Sequence, residues 1–94
     1  MSETGPWNYI IVFSNPVGSR NEVKEFIDSR SEFKHWYVCM SNAIFVRSNK
    51  TAKQITEIFR EFTEDSGRFI VLDVDTDRSG WLPKRAWAFM RTEE

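Results

Sequence analysis

With 94 residues and a formal net charge of −1, the chain holds one domain, and its 13 basic against 14 acidic residues exclude a general nucleic-acid coat protein, whose affinity comes from excess cations. A single cysteine, Cys39, excludes an internal disulfide and a cysteine-rich zinc site. No apolar stretch is long enough to span a membrane and the N-terminus lacks a signal-peptide pattern, so a cytoplasmic protein with no membrane partner is expected.

Residues 1–6 are polar and are expected to be loose; residues 7–94 form the domain, with 75–91 as an aromatic tail. Trp7 to Phe13 reads as a strand with apolar residues on both faces, hence central in a sheet. Ser14-Asn15-Pro16-Val17-Gly18 ends it as a turn cluster. Ser19 with Glu22 forms a capping box, and Val23, Phe26 and Ile27 follow at helical spacing, predicting a helix that ends near Glu32. His35–Met40 and Ala43–Arg47 read as two strands joined at hairpin length by Ser41-Asn42.

Thr51 with Gln54 predicts a second capped helix, with Ile55, Ile58, Phe59 and Phe62 as its buried stripe and Ser66-Gly67 as its stop. Arg68 to Val74 is rich in β-branched residues and reads as a buried central strand. Beyond Gly80, Pro83 suits the first turn of a short helix with Ala86, Trp87 and Met90 as its stripe; a fifth strand through Ala86–Phe89 is the alternative. The order β-α-β-β-α-β predicts an α+β, ferredoxin-like fold: a four-stranded antiparallel sheet with two helices on one face, plus a short C-terminal helix or strand. The second sheet face is left to water, to the tail, or to a second copy of the chain.

Asp73, Asp75 and Asp77 alternate as in the opening of a calcium loop, but Arg78 and Lys84 stand where that loop needs Gly and Glu. The three remain weak candidates for a metal site; the expectation is no metal and no cofactor.

The run His35-Trp36-Tyr37, then Ala43-Ile44-Phe45-Val46, a helix opening Lys50-Thr51-Ala52, and Phe69-Ile70-Val71-Leu72-Asp73-Val74 resembles a group of small bacterial proteins often labelled SinR-like. That group is related in fold to VapD and to the small subunit of CRISPR adaptation. The tail Ser79-Gly80-Trp81-Leu82-Pro83-Lys84 with Ala86-Trp87 resembles the tails of the same group. The resemblance implies a ferredoxin-like homodimer and, through VapD and the CRISPR subunit, Mg2+-dependent nuclease activity at an aspartate closing the first strand. This chain departs there, because Phe13 is followed by Ser14 and Asn15, and neither carries the charge to hold magnesium.

Three roles follow. The first is a non-catalytic homodimeric interaction module with an unidentified protein partner, in which Trp81, Trp87 and Phe89 are buried at an interface, where aromatics concentrate binding energy. The 15% aromatic content, high for so small a core, favours it. The second is a nucleic-acid binder contacting phosphates through Arg47, Lys50 and Lys53 after the hairpin and Lys84, Arg85 and Arg91 in the tail. The third is a hydrolase using His35 as base, for which no paired nucleophile can be named.

Overall fold

A computed structural model describes residues 6–64, 66–75 and 78–91. Most of the N-terminal segment expected to be loose, and Asp77, lie outside the described residues. The WNYIIVF run forms strand β1, Trp7–Phe13. A 3-10 turn at Asn15–Val17 follows, and helix α1 spans Arg20–Asp28. Both halves of its capping box form: Glu22 N–H donates to Ser19 Oγ at 3.2 Å, and Ser19 N–H donates to the Glu22 carboxylate at 2.8 Å.

Helix α1 stops at Asp28, short of the expected Glu32, because Phe33 is drawn into the sheet and buried there, opening β2, Phe33–Met40. Strand β3 is Ala43–Ser48, and the connecting Asn42 side chain donates to the Phe13 carbonyl at 2.9 Å, fastening the hairpin to the end of β1. Helix α2 is Ala52–Thr63 with the Thr51–Gln54 capping box in place. Its stop is Glu64, which adopts the left-handed conformation at φ 48°. Gly67 instead permits a close approach, since a Cβ there would lie 2.6 Å from Val17 Cγ2 and 2.8 Å from Val17 N. Only glycine lets β4, Phe69–Asp73, start against the turn that ends β1. The tail resolves as a helix, α3, Lys84–Arg91, immediately after Pro83.

The strand order is β2-β3-β1-β4, every neighbouring pair antiparallel. With a helix after β1 and another after β3, this is the expected α+β, ferredoxin-like arrangement. One face of the sheet carries α1 and α2 over Tyr9, Ile11, Phe13, Ile44 and Val46. Ile11, Val23, Ile27, Ile44, Ile55 and Phe59 are wholly buried in this core, each contributing roughly 1.5–3 kcal/mol of transfer free energy. The Phe59 ring meets Phe69 edge-on at 4.7 Å between centroids, tying α2 to β4.

The expected place of the last strand is corrected. The Arg68–Val74 run is not a central strand: β4 lies at the sheet edge, with β1 as its sole partner among the described residues. Period-two alternation reports the two faces of a strand and is silent about its lateral neighbours. Phe69 and Val71 point to the main core, whereas Ile70 and Leu72 are 53% and 45% exposed. Of the covers expected for the second face, the tail of the same chain takes the place: Ala86 and Met90 of α3 bury against Phe45, with Ile10, Tyr37, Cys39 and Val74 around them.

Candidate interaction surface

The registers set the second face out in rows that cross the sheet. Tyr37, Phe45, Ile10 and Leu72 form the middle row, and His35, Arg47 and Asn8 form a polar row beside it. Met40, Ala43, Val12 and Ile70 form the row on the other side. Helix α3 closes Arg47 and Asn8 of the polar row and most of the middle one, where the Tyr37 and Phe89 rings stack at 5.9 Å. It leaves Met40, Val12 and Ile70 at 38%, 39% and 53% exposure, continued by Leu72. Between the open row and α3 lies a pocket of about 220 Å³ walled by Ile10, Met40, Leu82, Trp87 and Met90, with Arg78 on its polar side.

What holds α3 in place is polar. The last carbonyls of a helix have no partner within it and attract cations. Here β1 and β3 supply the partners. Arg47 donates through one guanidinium nitrogen to the Phe89 carbonyl and, at 3.1 Å through Nε, to the Asn8 side-chain oxygen. Asn8 Nδ2 donates to the Met90 carbonyl at 2.9 Å and to Asp75 at 3.0 Å, while Asn8 N–H donates to the other Asp75 oxygen at 2.9 Å. The Arg47 guanidinium lies 4.3 Å from the Phe89 ring centroid. Arg78 reaches Asp75 at 3.4 Å and the Val74 carbonyl at 2.9 Å. Asn8 and Arg47 are both buried, and every buried side-chain nitrogen and oxygen among the described residues has a partner.

This latch assigns several residues singled out in the sequence. Arg47, grouped there with the phosphate-binding candidates, is 3% exposed and holds α3. Asp75 accepts from Asn8, and Asp73 Oδ1 accepts from Asp75 N–H at 2.8 Å. Among the described residues, no group of three or more His, Cys, Asp or Glu side chains converges as a metal-ligand set. Lys50, Lys53, Lys84 and Arg85 are exposed, the last two on the first turn of α3, and Arg91 is exposed on its last turn. Trp87 and Phe89 are half-buried against the second core, whereas Trp81 is 100% exposed. His35 is exposed on β2, and burial pushes the Cys39 thiol up, away from the reactive thiolate.

Sequence reasoning missed Asn8 as a functional partner. The available signal was an amide inside the otherwise apolar Tyr-Ile-Ile-Val-Phe strand; its cross-strand mate, Arg47, becomes visible only once β1 and β3 are paired. No family model, curated protein or solved structure matches the chain. No helix among the described residues is long and apolar enough to cross a membrane.

Proposed function

We propose that this chain is a non-catalytic interaction module of the ferredoxin-like type that works as a homodimer. The observation that carries the reading is the open apolar row Met40–Val12–Ile70 with Leu72, beside a face that α3 otherwise seals. Contiguous apolar patches left on a small chain mark contact surfaces. A chain of this size also gains from a partner, because it buries a smaller fraction of its surface than larger domains do. The polar latch supports the same reading, since it fixes which part of the face is covered and which stays open.

Sedimentation velocity over a range of loading concentrations tests it. The expected result is a concentration-dependent shift towards twice the chain mass, abolished by Val12→Ser with Ile70→Ser while the far-UV circular dichroism is kept. A wild-type chain that remains monomeric at every concentration removes the reading.

A second reading is a nucleic-acid-binding protein or a Mg2+-dependent nuclease of the kind implied by the resemblance to VapD and the CRISPR-adaptation subunit. The exposed cations Lys50, Lys53, Lys84 and Arg85 favour it. The burial of Arg47 weakens it.

A further inference from the structure

We infer that the outer edge of β4 is the dimer contact. Two copies pair their β4 strands antiparallel about a two-fold axis at Val71, so that the two sheets run on into one. This rests on the homodimer reading above and specifies its contact.

The argument starts from the difference between the two edges of the sheet. Natural sheets guard their edges with charges, bulges or proline, because an unpaired row of N–H and C=O groups templates another strand. The β2 edge is guarded. Its pairing with β3 shifts register between Phe33 and His35 and again between Tyr37 and Met40, and Lys34 and His35 are exposed on it. The β4 edge has none of these defences: Phe69-Ile70-Val71-Leu72 is apolar, pairs with β1 without a register shift, and reaches its first charge only at Asp73.

The direction of the backbone groups then fixes how a second copy fits. Ser14 N–H donates to the Arg68 carbonyl and Val74 N–H to the Asn8 carbonyl. In an antiparallel ladder, hydrogen-bonded residues alternate, so Arg68, Ile70, Leu72 and Val74 turn their backbone groups towards β1. Phe69, Val71 and Asp73 turn theirs outward. A two-fold at Val71 sets Val71 against the partner's Val71 and Phe69 against the partner's Asp73, and uses every outward group of the strand.

The side chains agree with this register. On the α3 side, Ile70 of each chain meets the partner's Leu72, which covers the two most exposed apolar side chains of the strand and joins the two Val12 rows into one apolar band. A β2 strand from another copy could not offer this fit, because its two register shifts break the straight row of outward groups.

Two variants test the register. In a Cys39→Ser background, Ile70→Cys and Leu72→Cys chains are mixed and mildly oxidised. Facing residues of a non-hydrogen-bonded pair sit about 4.5 Å apart between Cα atoms, within disulfide reach. A mixed disulfide dimer is expected, in clear excess over the dimer formed by either chain alone.

The second variant is Val71→Pro, which removes an outward N–H and no bond to β1. It is expected to keep the circular dichroism of the fold and to raise the dimer dissociation constant about tenfold or more. A wild-type dimer that gives no mixed disulfide, or a Val71→Pro chain that dimerises as well as wild type, overturns the β4 contact and leaves a homodimer formed elsewhere. A chain that never dimerises overturns both.

Discussion

Tyr9 links three parts of the fold through one hydroxyl. Its ring is buried in the main core, and its O–H donates to the Lys50 carbonyl at 2.8 Å, fastening β1 to the segment that leads into α2. Burial, and after it the nearby Asp73 and Asp75 carboxylates, push the phenol pKa up to about 12. An unfolded tyrosine titrates near about 10. The folded chain therefore holds this proton more tightly than the unfolded chain. The resulting stability is fully present below about pH 10 and is lost as pH rises towards about 12. Comparing urea midpoints near about pH 8 and about pH 11, the wild type is expected to lose more stability than Tyr9→Phe across that window. Equal losses would mean that the phenol ionises as freely in the folded state as in the unfolded one. Tyr9 also marks what a sequence exposes at this scale. Its inward direction follows from the alternation of β1, but the hydroxyl's partner is 41 positions away in the chain and becomes known only with the fold.

At the scale of elements, what was legible was local. The two capping boxes, Ser19 with Glu22 and Thr51 with Gln54, depend on residues three apart and form as read. The buried stripes of α1 and α2, the central place of β1 and the short helix after Pro83 also follow from spacing within each segment. The edge position of β4 was not legible, because a β-branched run has the same composition whether it has one neighbour or two. The latch on α3 was hidden for the same reason: Asn8, Arg47 and Asp75 come from three separated segments. Its consequence is specific. Asn8→Ala deletes the donor to the Met90 carbonyl and the acceptor for Arg47 Nε, leaving buried polar groups unmatched at a cost of about 1–3 kcal/mol. The loss should appear as local opening, because the main core on the opposite face is untouched. Hydrogen exchange is expected to speed up across α3 amides while those at the centres of β1 and β3 keep their protection. Uniform acceleration over the whole chain would mean that α3 and the sheet open as one unit.

At the scale of the whole molecule, the question is whether the charges act together or singly. Arg47 is withdrawn into the latch, and of the phosphate-contact candidates Lys50, Lys53, Lys84, Arg85 and Arg91 remain exposed, on a chain of net charge −1. Affinity for nucleic acid rises with the number of phosphates neutralised and falls with salt in proportion to that number. The measurement is a titration of short single- and double-stranded RNA and DNA at low and moderate salt, with and without magnesium or manganese. Cations matched by a slightly larger number of acidic residues predict weak binding at low salt, lost at moderate salt, and no cleavage in either metal. Binding that persists at moderate salt, weakens steeply only beyond it, and falls with Lys84→Glu and Arg85→Glu would turn the start of α3 into a phosphate-contacting surface. Metal-dependent cleavage would go further, since Ser14 and Asn15 close β1 where the resemblance calls for an aspartate, and a catalytic metal would then need ligands from elsewhere in the chain. The interaction module and the nucleic-acid binder thus separate on one salt series, because an apolar strand edge keeps its partner as salt rises whereas a phosphate contact does not.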